Sequence, residues 1–559
     1  MESTARKYRI SPLRSLAHAV AGLLPAAWRE PVAETLLRRA GSPAPAAEHV
    51  LQYLLSRGRP GHGGREAKAA VGADHFYERQ YRQFLNPAMG AFAHTATQAL
   101  VATGGPPEGR LWRRHRRSFA AMLEQRGEAP PLLVLNRETV AIALLLPRPK
   151  RSGEAELASR WLSGSGAMPA YYRELIEGTE IGGGDPGVRM RETAAAGAVL
   201  ATLAAVLATR RLAVLALHPH DPDAMGLHIT LFGVEALAPD DVSAKYGLEP
   251  SALAAYRYEA RRADRALVFC VGATEEVFTQ CSQNLFVKRP APAGSRKPRR
   301  DPLPPLDEFV ARQFEAIQVT VSGGGLPGAS PRNGDLGRAA FAARRGRRLQ
   351  LLIPYHPGNA VHGHAAKLWS NPYGTLVLSD DHDTLCRITV SGPARVIGQA
   401  TAAKRYPDVV ARVCAQQGHN GKPVAEPEYW FVQEVADLCR QREPLAANDL
   451  DAVRPACSIS AGGQALHGKK PGYFNADSLP PYDLELQHRR EAAGLVADPT
   501  GASHRQWLEE VHDALEARLE HLGRIQQRPP QWDRPASGGP HLPLPPAMGP
   551  IPAPGPPPL

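Results

Sequence analysis

Leu349 to Asn371 reads LQLLIPYHPGNAVHGHAAKLWSN, and the fold turns on this stretch. The apolar run Leu349 to Ile353 has the length and composition of a buried strand, and Pro357-Gly358-Asn359 then forces a turn. A helix-like segment follows, carrying His362, His364 and Lys367, and it closes at Asn371-Pro372. Gly374 to Leu378 starts a second apolar strand. A glycine turn at a strand end that opens into cationic and polar side chains can wrap a phosphate. A plain strand connection with a solvated helix face has the same local pattern, so the neighbouring segments must decide.

Upstream lies the strand pattern Ile317 to Val321, a glycine-rich turn over Ser322 to Gly328, and Ser330-Pro331-Arg332 with Gly334 two residues on. Downstream, Ile388, Val390, Gly392, Ala394 and Val396 alternate along Cys386 to Ile397. The ordered series over about Leu306 to Gly398 resembles the FMN-binding split β-barrel of the pyridoxamine 5′-phosphate oxidase-like superfamily. It is most similar to the subgroup with an SPRGG or SHRGG loop and an IPD-x-x-GN turn.

The resemblance implies a flavin whose phosphate is held by an Arg or Lys after the second strand and by the turn and helix after the third. By position those roles fall to Arg332, to Gly358 and Asn359 of the turn, and to His362, His364 and Lys367. Related chains often have Ser, Arg or Lys where this one has the two histidines. Histidine titrates near neutrality, so flavin affinity is expected to rise as the pH falls toward 6. FMN is the expected cofactor, with the deazaflavin F420 and haem as alternatives, since haem-utilisation proteins use the same fold. A flavin-dependent oxidoreductase of unassigned substrate is the implied activity; no general acid or base can be named. A non-enzymatic dimeric interaction protein is the remaining reading.

Composition bounds the rest. A chain of 559 residues with 43% hydrophobic and 22% charged residues has material for several globular domains. The net charge of +11 suits an anionic ligand, but the basic runs at Arg113 to Arg117, Arg296 to Arg300 and Arg344 to Arg348 are dispersed. No nucleic-acid-binding signature accompanies them, so no specific nucleic acid partner is expected. The six cysteines form no C-x-x-C pair, which argues against iron–sulfur and zinc-ribbon sites and fits a reducing, cytoplasmic setting. No metal site is expected: His356, His362 and His364 have a plausible ligand spacing but no Asp, Glu or Cys partner nearby, and His218 and His220 read as a polar turn after a strand. The apolar run Thr193 to Thr209 reads as a buried helix rather than a membrane span.

The expected fold class is α+β. Residues 1–130 read as a helical region and 131–289 as a mixed α/β region. The end of the latter, Arg265 to Arg289, loosely resembles the segment that closes a first barrel in two-barrel relatives, so a degenerate first split barrel is an open reading. A Pro/Arg-rich linker is expected at 290–305 and the recognised barrel at 306–450. An extended arm and an amphipathic helix follow at 451–527, with Trp507, Val511, Leu515, Leu519 and Leu522 on one face, and then a Pro-rich disordered tail at 528–559. Split barrels of this kind pair through their sheets, so a homodimer with flavin at its seam is expected, and a separate redox partner would supply electrons.

Overall fold

The computed structural model describes residues 23–25, 28, 32, 82–110, 114–181, 187–220, 226–279, 285–288, 305–311, 313, 315–332, 340–355, 363–379, 386–415, 426–427, 429–443, 454–455, 486–487, 489–490 and 502–527. The expected linker (except Pro305), the Ser458 to Leu484 stretch of the arm and the Pro-rich tail lie outside these residues.

Chain order in the first half is α1 (Pro87–Thr95), β1 (Gln98–Glu108), β2 (His115–Glu124), β3 (Leu132–Asn136), β4 (Thr139–Pro147), α2 (Ser152–Leu162), α3 (Ala170–Glu177), β5 (Thr179–Glu180), β6 (Arg189–Thr193), α4 (Ala195–Thr209), β7 (Arg211–Leu217), β8 (Leu227–Leu237), α5 (Pro239–Tyr246), α6 (Ala254–Arg262) and β9 (Arg265–Thr279). The second half runs β10 (Phe286–Val287), α7 (Leu306–Ala311), β11 (Ala316–Val321), β12 (Pro327–Arg332), β13 (Phe341–Arg345), β14 (Arg348–Tyr355), α8 (Gly363–Ser370), β15 (Tyr373–Ser379), β16 (Arg387–Gly398), α9 (Gln399–Arg405), α10 (Pro407–Cys414), β17 (Tyr429–Glu434), β18 (Asp437–Gln441), β19 (Arg454–Pro455) and α11 (Ala502–Gln527). The fold is a mixed α+β arrangement built on antiparallel sheets.

The two halves repeat one topology. The first sheet has the order β2-β1-β7-β8-β9-β4-β3 and the second β12-β11-β15-β16-β17-β14-β13. Each strand of the second order occupies the place of its counterpart in the first. In the first half α4 precedes β7 and packs on β1 and β2; in the second, α8 precedes β15 and packs on β11. The sequence that makes α4 is almost wholly apolar, AAGAVLATLAAVLAT, and Leu200, Leu203 and Val206 are buried in the first-half core with Val101, Leu123 and Val214. A helix apolar all round has no stable place except inside.

The halves meet along a dry seam. Leu100, Ala102, Ala120 and Leu215 of the first sheet pack with Ile317, Val319, Ala329 and Val377 of the second. The contacts are reciprocal: β1 touches β12 and β11 touches β2, while β7 touches β12 and β2 touches β15. That is the signature of an isologous contact, here between two parts of one chain. Glycine permits the closest approach, since a Cβ on Gly104 would stand 2.6 Å from Val321 Cγ1. At the edge, Asn371 Oδ1 accepts from the Arg116 N–H at 2.8 Å, and its Nδ2 donates to the Arg116 and Val321 carbonyls at 3.1 and 2.9 Å. The short strand β6, chained to the first half, pairs in parallel with β18 of the second.

Two sequence expectations give way here. Much of residues 98–124 was expected to be helical, yet it forms β1 and β2 at the seam. The helix expected over Thr193 to Thr209 begins at Ala195, because Arg189 to Thr193 is held as a strand by Asp437 to Gln441. The C-terminal helix α11 does form, and Trp507 and Val511 enter the first-half core beside α1. The expected face holds at Trp507 and Val511, which are buried, and at Leu515 and Leu522, which are half-buried; Leu519 is exposed instead, and Arg518 lies inward, its Nε donating to Thr95 Oγ1 at 2.7 Å with the guanidinium over Phe92.

Candidate functional site

Three of the six sequence-predicted residues converge. Strand β12 ends in Arg332, and α8 carries His364 and Lys367 three residues apart, hence on one face. That face lies on β11, where Thr320 Oγ1 and His364 Nδ1 are 2.8 Å apart. The end of α8 is fixed to the same strand: the Gly323 N–H donates to Ser370 Oγ at 3.0 Å, and Asn371 caps the Val321 carbonyl. Lys367 is only 5% exposed, and a Cβ on Gly328 would meet its Cε and Nζ at 3.3 Å. The absence of a side chain at Gly328 is what gives the ammonium its place. Gly358, Asn359 and His362, together with His356, lie outside the described residues.

Arg332 is partly buried at the same place. Its Nε donates to Gln318 Oε1 at 3.0 Å, and its guanidinium lies 5.2 Å from the Phe431 ring centroid and 6.0 Å from that of Tyr355. Tyr355 and Tyr429 stack at 4.3 Å beside it. Aromatic faces suit a guanidinium that has lost water. Burial pulls the Arg332 pKa below its usual value, with the two tyrosines opposing the shift, but an arginine remains a cation throughout the physiological range.

His228 joins this group from the opposite half. Strand β8 brings its ring to β12, with Nδ1 3.1 Å from the Ala329 carbonyl and Nε2 3.1 Å from Thr230 Oγ1, stacked on Phe278 at 4.4 Å. Both ring nitrogens are engaged, so His228 offers no free lone pair to a haem iron as it stands. Sequence reading missed it because Leu227-His228-Ile229-Thr230-Leu231 alternates apolar and polar residues. Such alternation ordinarily means one face in water, but His228 and Thr230 are 2% and 0% exposed. The polar face is turned to the other half of the chain.

The electrostatics of the cluster run in one direction at His364. Burial lowers its pKa well below 6.5, and Arg332, Lys367 and His228 lower it further. Burial pushes His228 down to about 4, with Lys367 adding to the shift while Glu276 and the Ala329 carbonyl oppose it. These influences favour the neutral form of His364 and oppose the protonation on which the expected rise in flavin affinity at lower pH depends.

A pH dependence of stability follows from His228. Its folded pKa lies below the unfolded value near 6.5, so the unfolded chain takes up the proton first as pH falls. Stability is at its full value above the unfolded pKa. It drops by about 1.4 kcal/mol per pH unit from about 6.5 toward 4, where the folded form also protonates. Buried His94 and His364, whose pKa values burial also lowers, add in the same direction, so thermal melts at pH 7 and 5.5 should differ by at least that amount, and His228→Asn should reduce the difference. An unchanged difference in the variant would assign it to other groups.

Among the described residues no group of three or more His, Cys, Asp or Glu is placed to hold a metal ion, and no helix is long and apolar enough to cross a membrane.

No family model matches the chain, and no curated protein matches it. Solved structures do align locally. HutZ, the haem storage protein from Vibrio cholerae, is 16% identical over 23% of this chain and 86% of its own, with a TM-score of 0.15. An F420 reductase is 15% identical over 23% of this chain and 90% of its own, at 0.16. A pyridoxamine 5′-phosphate oxidase-related, FMN-binding protein from Nostoc punctiforme is 10% identical over 22% of this chain and 70% of its own, at 0.15. The neighbours are thus split-barrel FMN, F420 and haem proteins matched over about a quarter of the chain, and at these scores the likeness carries no argument about its ligand.

Proposed function

We propose that the chain is a flavin-binding protein of the split-barrel kind, holding FMN by its phosphate at the Arg332, His364 and Lys367 cluster and serving flavin-dependent redox chemistry. One observation carries this reading. Side chains from two separate elements, β12 and α8, bring an arginine, a lysine and an imidazole to one buried place, and every electrostatic influence on that imidazole repels a proton. A bound anion reverses that sign, and a phosphate ester supplies one with several acceptor oxygens. The residues present therefore fit the anionic end of a flavin mononucleotide.

In this arrangement Arg332 and Lys367 neutralise the phosphate, and His364, held by Thr320, donates or accepts one hydrogen bond. The seam excludes water, which strengthens each of these contacts. The flavin ring supplies hydride or electron transfer when bound. In this reading a separate partner supplies the electrons.

Absorbance of the purified chain after incubation with FMN or haemin and removal of free ligand tests the reading. Retained flavin bands support it. Retention of haemin with an intense Soret band, and of no flavin, would replace it with the haem reading.

A further inference from the structure

The repeat of strand order allows the two halves to be aligned residue by residue through their pairing. Ala102 pairs with Ala120 and Ala213 in the first sheet, and Val319 pairs with Ala329 and Thr375 in the second. Leu100 pairs with Met122 and Leu215, as Ile317 does with Pro331 and Val377. The seam residues confirm the frame, because Leu100, Ala102, Ala120 and Leu215 occupy the same ladder positions as Ile317, Val319, Ala329 and Val377.

Within that frame the two halves differ where the cations stand. Arg332, opposite Ala316, corresponds to Leu123, opposite Ala99. Gln318 corresponds to Val101. The helix in the place of α8 is α4, and it sets Leu200, Leu203 and Val206 in the same apolar cluster as Val101 and Leu123. His228, opposite Leu215, corresponds to Thr389, opposite Val377. One of two pseudo-equivalent places thus holds cations and polar hydrogen-bonding groups, and the other is packed with hydrocarbon. Burying a phosphate dianion among Val101, Leu123 and Leu203 would leave it without a partner.

We infer that the chain binds one phosphate-bearing flavin per molecule, in a single site completed by His228 of its own first half, and that the site needs no second copy of the chain. This rests on the reading given under Proposed function and adds stoichiometry and a further site residue to it. An ordinary two-fold pair of identical sheets makes two equal sites; here the second has been filled from within.

The test is a fluorescence titration of FMN into the full chain, with molar mass measured by light scattering at the same concentrations. One FMN per chain, at concentrations where the chain is monomeric, is the expected result. Two per chain, or binding that develops only as the chain dimerises, would overturn the inference while leaving the flavin reading in place. No FMN binding at all would overturn both. His228→Ala should weaken FMN about tenfold, because it removes the ring that holds the Ala329 carbonyl of β12, the strand that ends in Arg332, whereas Thr389→Ala at the mirror position should leave it unchanged. Equal effects of the two substitutions would remove His228 from the site even if the His228 variant is less stable.

Discussion

The double variant Arg332→Met/Lys367→Met is expected to lose most of its affinity for FMN while keeping its affinity for riboflavin. Each cation contributes a charge-assisted hydrogen bond to the phosphate, together about 3–6 kcal/mol, or roughly a hundredfold to ten-thousandfold in affinity. The two residues act on one ligand group, so their effects will not add cleanly and the single variants are needed alongside. Riboflavin lacks the phosphate, so its binding should move by no more than a few-fold. Methionine keeps the methylene packing of both side chains, but it leaves the buried Gln318 Oε1 without the Arg332 donor, so the double variant should also melt somewhat below the wild type. Retained riboflavin binding separates the loss of the phosphate contacts from that loss of stability. Equal losses for the two flavins would place both residues away from the phosphate.

The second large effect is expected at the seam. Val319 is fully buried between the halves among Leu100, Ala102 and Val377. Val319→Asp puts an unpaired carboxylate there at a cost of about 3–5 kcal/mol. For domains of this size that corresponds to a fall in Tm of roughly 6–20 °C. Leu157 is 43% exposed, and Leu157→Asp should shift stability by less than about 0.5 kcal/mol. Melting curves that fail to separate the two variants would mean that the seam contributes little. FMN binding should fall with Val319→Asp as well, because His228 reaches the cluster only across this contact.

Much of the second half was legible because its strands are short apolar runs bounded by glycine and proline, as Leu349 to Ile353 and Gly374 to Leu378 show. Arg332, His364 and Lys367 were legible through motif order, and the geometry does bring them together. The beginning of the first half was not. Strands β1 and β2 carry Ala102 and Ala120 at the seam, where two sheets press closely, and Ala99 and Ala121 on the other face, in the first-half core. Alanine is the best helix former, so locally the same residues argue for helix, and only the long-range pairing overrides them. His228 was hidden for a related reason. Local alternation shows that one strand face is polar, but whether water or another sheet meets that face depends on a partner some hundred residues away in sequence. Of the repeat of topology the sequence carried only the loose resemblance at Arg265 to Arg289, since one half holds polar groups at positions where the other holds leucine and valine.

The most direct measurement is a paired titration of the wild-type chain with FMN and with riboflavin at pH 7.5, followed by flavin fluorescence. The site described here predicts that FMN binds at least about tenfold tighter, the difference being the phosphate's hold on Arg332 and Lys367. Equal affinity for the two flavins, or no binding of FMN, would contradict it.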